Sequence, residues 1–372
     1  MTVFTDDTMN GCFLPVLLLA GLLASAAEPP IDWSRAQELH RRAQRGEKLT
    51  PEEQAYYERA KAARARGGQP GGASQPRWTG QLTPLTELGA EPYKGEAGGL
   101  YGGGKNEPPP AHRAAAQREA AKIQPLDADG KPAKDGKLVL LSVGMSNTTQ
   151  SFSRFKQQAD RDPAKSPSLV IVDGAQGGQT GMRWANATTP LWAEVDNRLR
   201  RAGVSPRQVQ VVWMKQAEAG PANLGEFPRH ALVLKTNLVA SLHNLKTKFP
   251  NLRVAYLSSR TYGGYATTPL NPEPYAFETA FAPRWLIQDQ IAGKPELNFD
   301  AARGPVKSPL LLWGPYLWAD GATPRKADGF LYQKEDFGGD GTHPSGSGQQ
   351  KVADLLLKFF KSEPTAQWFR KE

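Results

Sequence analysis

Asp340-Gly341-Thr342-His343-Pro344 sets an aspartate three residues before a histidine, just ahead of an apolar-periodic segment at 352–360. On a loop that opens a helix, this spacing lets the carboxylate fold back onto one imidazole nitrogen and leaves the other to take a proton. What the stretch lacks is a nucleophile. Gly144-Met145-Ser146-Asn147-Thr148 offers a serine directly after the apolar run at 137–143, next to a glycine that permits a tight turn. A serine there falls at a helix N-terminus, where amide groups can face a developing oxyanion; its plainer role is a helix cap. After a second apolar run comes Asp173-Gly-Ala-Gln-Gly-Gly-Gln-Thr180, where Gly177 or Gly178 could present an N–H unobstructed by a side chain. A third run delivers Met214-Lys215-Gln216-Ala217-Glu218, where an amide side chain could donate a further hydrogen bond. The chemistry these residue types share is attack by an activated serine on an acyl carbonyl.

For those loops to meet, the runs before them must lie side by side. Continuous apolar segments of strand length occur at 137–143, 168–172, 209–213, 252–257 and 309–313. Such runs are expected of strands buried on both faces. Helical patterns at 150–160, 191–202, 229–249, 274–291 and 348–361 alternate with them. Strands alternating with helices predict a five-stranded parallel sheet covered on both sides, with functional loops gathered at the carboxyl ends of the strands. Two more strand ends carry aromatic faces near an arginine, Arg260-Thr-Tyr262-Gly-Gly-Tyr265 and Trp313-Gly-Pro-Tyr316-Leu-Trp318. Arg260, Tyr262 and Trp318 are therefore candidate substrate contacts, with core packing as the alternative. His230 and His243 fall in helical patterns and read as structural, and Glu278 and Arg284 read as pairing with neighbours.

The order of these blocks resembles the SGNH (GDSL-like) hydrolase superfamily of esterases, lipases and carbohydrate deacetylases, from Lys137 to about Lys361. The family's Gly-Asp-Ser block corresponds to Gly144-Met145-Ser146, and its Asp-x-x-His-Pro block is matched by Asp340, His343 and Pro344. The resemblance implies a flavodoxin-like three-layer α/β/α fold and a Ser146–His343–Asp340 triad. It also implies an oxyanion hole from the Ser146 and Gly177 amides, or Gly178 with a one-residue slip. The family's third block normally supplies an asparagine after a glycine, and neither is present. Gln216-Ala217-Glu218 is similar to the Gln-Gly-Glu of carbohydrate-esterase branches, which would make Gln216 the third donor. Met145 replaces the usual aspartate. No metal or other cofactor is expected.

Upstream, 28–66 reads as a solvated helical hairpin whose second helix starts at Thr50-Pro51-Glu52-Glu53, a capping box with proline in the first turn. Residues 67–136 are crowded with proline and glycine and read as a linker and irregular extension, in which the glycine run at 98–104 could cover a site. His112 opens a short helix and reads as a surface or capping residue, with substrate contact as the alternative. The apolar run at 13–23, followed by Ala24-Ser-Ala-Ala27, reads as a signal peptide and so predicts export, with no stable membrane insertion after cleavage. No Lys or Arg precedes the run, and initiation at Met9 would improve the signal. Cleavage near Ala27 would remove Cys12, the sole cysteine, leaving no disulfide and no thiol nucleophile. The net charge of +9 is carried from Lys137 onward without any basic run. That argues against nucleic acid and suits acidic glycans or an anionic surface better. The expectation is an exported serine esterase removing acyl, most simply acetyl, groups from carbohydrate. Its alternatives are a weakly active or inactive envelope binding protein of the same fold, and a lipase or thioesterase.

Overall fold

The computed structural model describes residues 31–44, 47–66 and 78–371. The chain divides into two compact units, Met1–Gly67 and Gly68–Glu372. The expected signal peptide and the linker at 67–77 lie outside the described residues.

In the first unit α1 (Trp33–Gln44) packs on α2 (Pro51–Arg66). The expected capping box is formed: the Glu53 amide donates to Thr50 Oγ1 at 3.2 Å and the Thr50 amide donates to Glu53 Oε2 at 2.9 Å. Arg42 bridges the helices by donating to Glu53 at 2.6 Å. Ala36, Leu39 and Ala60 are among the buried apolar residues.

The second unit is built on five parallel strands: β3 (Leu138–Gly144), β4 (Leu169–Val172), β5 (Val209–Lys215), β6 (Val254–Ser258) and β7 (Leu310–Trp313). Their order across the sheet is β4-β3-β5-β6-β7. Within each strand alternate residues enter opposite layers, as the two-residue pleat requires. Val139, Leu141, Val143, Val212 and Met214 join Trp184, Val195, Leu238 and Phe281 on one face. Leu138, Leu140, Val211, Trp213 and Tyr256 join Phe152, Phe155, Leu356 and Phe360 on the other. The first layer holds α5 (Gly181–Ala185), α6 (Leu191–Arg201), α7 (Arg229–Lys248), α8 (Tyr275–Glu278) and α9 (Phe281–Ile291). The second holds α4 (Ser146–Ala159) and α10 (Gly346–Ser362). This is the expected three-layer α/β/α architecture with a five-stranded parallel sheet.

Two helical boundaries differ from expectation for stated reasons. The single helix expected at 274–291 is two, because Pro283 has no amide hydrogen and is tolerated only in a first helical turn, so a new helix begins at Phe281. The helix after β3 begins at Ser146 rather than 150, directly off the strand.

The extension is irregular, but from residue 78 onward it is part of the second unit. A two-residue hairpin, β1 (Pro92–Tyr93) with β2 (Glu96–Ala97), leads into the glycine run and then into α3 (Pro110–Ala120). The glycine run closes on itself through Gly104 N to Gly98 O at 2.9 Å. Trp313 Nε1 donates to Leu100 O at 2.6 Å and Gln288 Nε2 to Tyr101 O at 3.0 Å. The loop thus packs on the flank of β7 and α9. His112 is buried, with Nε2 donating to Leu311 O at 2.8 Å. Its role is structural, which corrects the surface reading.

Candidate active site

Ser146 is the first residue of α4, and Met145 before it has extended backbone. The sharp exit from β3 depends on Gly144, since a Cβ there would lie 2.4 Å from both Lys215 O and Thr148 Oγ1. Gly144 O accepts from the Gln176 amide at 3.1 Å and from Trp184 Nε1 at 3.3 Å. Those bonds tie the nucleophile turn to the loop carrying Gly177. The same loop is held at its root by Asp173, which accepts from Ser142 Oγ at 2.6 Å, Ser153 Oγ at 2.8 Å and Thr149 Oγ1.

Ser146 Oγ lies 2.7 Å from His343 Nε2, and His343 Nδ1 lies 2.5 Å from Asp340 Oδ2. With Nδ1 carrying its proton toward the carboxylate, Nε2 is the acceptor facing the hydroxyl. Asp340 Oδ1 accepts the Thr342 and His343 amides, each at 3.0 Å. Burial pushes its carboxyl pKa upward, but the bonds from the His343 side chain and amide and from the Thr342 amide outweigh burial and hold it well below the usual carboxylate range. Asp340 is therefore an ionised orienter. The loop is anchored from outside: Asp340 O accepts the Thr267 amide at 2.9 Å, and Gly341 has φ of +64°, with space for no Cβ beside Tyr265 O. On the far side Ser345 caps α10 through Gly348 N.

Gly177 and Gly178 are exposed, and a Cβ built on Gly177 would have Ser146 Cβ as its one neighbour, at 3.9 Å. The Cα of Gly177 thus lies beside the Ser146 side chain, whereas Gly178 has positive φ and nothing within 4 Å of a built Cβ. Gln216 is 3% exposed, and neither Nε2 nor Oε1 has a hydrogen-bond partner. Leaving a buried polar group unpartnered costs about 1–3 kcal/mol. The sheet order sets the row of strand ends as Gly177 after β4, Ser146 after β3 and Gln216 after β5. A hydroxyl, an imidazole and a carboxylate in line, flanked by the Gly177 and Gln216 loops, form a set whose chemistry suits attack on an acyl carbonyl.

The other expected contacts lie deeper. Trp318 is fully buried and donates from Nε1 to Glu273 Oε1 at 2.7 Å. Tyr262 is buried against it, edge on, with ring centroids 5.9 Å apart. Arg260 is buried, with Nε donating to Asn271 Oδ1 at 3.0 Å. Burial pulls its pKa down to about 10, opposed by the charges of Glu273, Tyr332 and Asp340. In this structure all three support the strand-end loops from beneath, a correction to their reading as substrate contacts.

Sequence reasoning missed the buried polar groups under the site. Lys215 is 1% exposed and donates from Nζ to Asn147 Oδ1 at 2.9 Å, next to the nucleophile. Burial, with the charge of Arg260 added, pushes its ammonium well below the usual lysine range. Its signal was visible as a charge ending an otherwise apolar run. Glu218 accepts from the Met182 amide at 2.9 Å and Asn237 Nδ2 at 3.0 Å, and burial raises its carboxyl pKa despite those bonds. Glu273 accepts three hydrogen bonds, and burial lifts its carboxyl to about 7. Nothing in the loop Asn271-Pro-Glu273-Pro marks that role. His230 and His243 are structural as expected, on Glu278 at 2.7 Å and on Glu296 O at 2.6 Å.

No family model matches the chain, and no curated protein matches it. Among solved structures it is similar to a Bacteroides fragilis protein provisionally described as an acylhydrolase, at 14% identity and a TM-score of 0.36, covering 68% of this chain and 96% of that one. It is also similar to a salicylyl-acyltransferase from a tetracycline biosynthetic pathway, at 15% identity and a TM-score of 0.34, covering 63% of this chain and 58% of that one. A third is a gut microbial diltiazem-metabolizing enzyme, at 14% identity and a TM-score of 0.31, covering 60% of this chain and 46% of that one. The chain thus spans about half the length of the second and third.

Proposed function

We propose that this protein is an SGNH-type serine ester hydrolase that removes acyl groups, most simply acetyl, from carbohydrate-type substrates outside the cytoplasm. The observation that carries the hydrolase reading is the continuous line from Ser146 Oγ to His343 Nε2 at 2.7 Å and from His343 Nδ1 to Asp340 Oδ2 at 2.5 Å. His343 takes the Ser146 proton as Oγ attacks the ester carbonyl, and Asp340 steadies the imidazolium that results. The Ser146 and Gly177 amides, with Gln216, stabilise the tetrahedral oxyanion, a contribution of about 3–4 kcal/mol for each donor. His343 then protonates the leaving alcohol, and water attacks the acyl-enzyme by the same route in reverse. Carbohydrate as the alcohol and export of the enzyme rest on the sequence: on the likeness of Gln216-Ala217-Glu218 to carbohydrate-esterase branches and on the apolar run at 13–23.

The test is hydrolysis of 4-nitrophenyl acetate by the purified protein, together with labelling by a fluorophosphonate and mapping of the modified residue. Turnover and a label on Ser146, both abolished in Ser146→Ala, are expected. Full activity in that variant would remove the proposal. Release of acetate from acetylated polysaccharides tests the substrate class separately.

A further inference from the structure

We propose that Glu273 is a positioning residue for the Asp340–His343 pair, acting through the backbone of the loop between β6 and α8. The proposal rests on the hydrolase reading above and adds a residue outside its triad and oxyanion donors.

The argument follows bonds. Glu273 Oε1 accepts the Gly263 amide at 2.8 Å and Trp318 Nε1 at 2.7 Å, while Oε2 accepts the Phe277 amide at 2.9 Å. One buried carboxylate therefore pins three pieces of chain: the loop after β6, the loop after β7 and the short helix α8. Gly263 O in turn accepts the Ala266 amide at 3.1 Å. The residues on either side of Ala266 hold the catalytic loop, since the Thr267 amide donates to Asp340 O at 2.9 Å and Tyr265 O abuts Gly341. From carboxylate to Asp340 the path is continuous and made of backbone, which has no rotamers to absorb a shift. The Trp318 arm is braced as well, because Ser259 Oγ accepts the Leu317 amide at 3.0 Å and the Trp318 amide at 3.2 Å.

Only a carboxylate fits this position. Its oxygens accept all three N–H groups, whereas a glutamine in the same place has one oxygen. Whichever way that amide turns, its NH2 group meets at least one N–H donor, and a donor against a donor is a lost bond and a push on the loop. The charged and titratable groups that face Glu273 are Arg260 from the same loop, Tyr262, Tyr316 after β7 and Tyr93 from the β1–β2 hairpin. Arg260 is the one cation among these.

The experiment is a double-mutant cycle on 4-nitrophenyl acetate hydrolysis, run well above the pH at which Glu273 takes up its proton. Glu273→Gln is expected to lower kcat about tenfold with KM changed less than about twofold, the cost of a small misplacement of the base. In an Asp340→Asn background the same substitution is expected to change kcat by less than about twofold, because the pair it positions is already broken. Equal losses in both backgrounds, or no loss in a folded Glu273→Gln protein, overturn the proposal. If Glu273→Gln does not fold, Trp318→Phe, which removes the Nε1–H donor together with part of the ring, is run through the same cycle with the same expectation. The downfield proton resonance of His343 Nδ1–H reads the geometry without turnover: a shift in Glu273→Gln is expected, and an unchanged resonance overturns the proposal. Turnover that survives Ser146→Ala overturns the hydrolase reading alone, and the resonance still decides the role of Glu273.

Discussion

Gln216 is where local energetics and function pull in opposite directions. Its side-chain amide is buried with both polar atoms unpartnered, an arrangement that natural interiors rarely keep without a use. If its use is the oxyanion, replacing it with a side chain of similar volume and no polar atoms should cost activity and no stability. Gln216→Met is expected to lower kcat about 10²–10³-fold while the denaturation midpoint stays level or rises. A variant that keeps wild-type kcat, or that loses stability in step with activity, would assign the amide to the fold instead. At this scale the alignment of Ser146, His343 and Asp340 is legible because the three sit in short motifs: a serine after a strand and an aspartate three residues before a histidine. The supports beneath it were not. Lys215 is read by strand pattern as an end residue, and only the three-dimensional pairing with Asn147 shows that it lies under the nucleophile turn. Residue type leaves Arg260, Tyr262 and Trp318 between substrate contact and core packing, and burial, which sequence does not reveal for aromatic loops, places them in the scaffold.

The decisive elements are the turns at the strand ends, because each functional group belongs to a turn anchored by a neighbouring one. Gly341 shows how tight that anchoring is. Its φ of +64° disfavours any residue with a side chain, and an added Cβ would fall inside van der Waals contact with Tyr265 O. Gly341→Ala must therefore move either the Asp340 loop or the 263–267 loop, and both lead to Asp340. Displacing a catalytic group by about 1 Å costs on the order of 100-fold in rate, so kcat should fall by about that factor while KM changes little. Steady-state kinetics on a folded variant, checked by circular dichroism, measures it; unchanged kcat would show that the loop relaxes without moving Asp340. Strand positions were legible within two residues because buried parallel strands are continuous apolar runs. The break between α8 and α9 was obscured because the apolar pattern continues through it, although Pro283 marks where a helix must restart.

Across the second unit, the extension from residue 78 packs into the helical layer, and Glu278 is the residue that fastens it. At 1% exposure its carboxylate accepts from Tyr93 Oη at 2.6 Å, Lys94 Nζ at 2.8 Å and His230 Nε2 at 2.7 Å, joining the β1–β2 hairpin to α7 and α8. The region read as a linker because it is poor in apolar residues and rich in proline and glycine, and because its partners lie almost two hundred residues away in sequence. Removing the carboxylate leaves buried His230 Nε2 and half-buried Tyr93 Oη without their acceptor, while half-exposed Lys94 can turn to water. Leaving a buried polar group unpaired costs about 1–3 kcal/mol, so Glu278→Ala should lower the unfolding free energy by about 2–4 kcal/mol in urea titrations. The pH dependence has a fixed sign. Burial raises the Glu278 pKa, but hydrogen bonds from His230, Lys94 and Tyr93 outweigh it and hold the folded value below the ordinary 4.5. A depressed folded value means that the unfolded chain takes up this proton first, so the contribution is complete above about pH 5 and drains away as pH falls through the folded value. The stability gap between wild type and Glu278→Ala should accordingly narrow in acid. A gap that stays constant from neutral pH to pH 3 would mean that packing of the side chain, and not its charge, holds the hairpin in place.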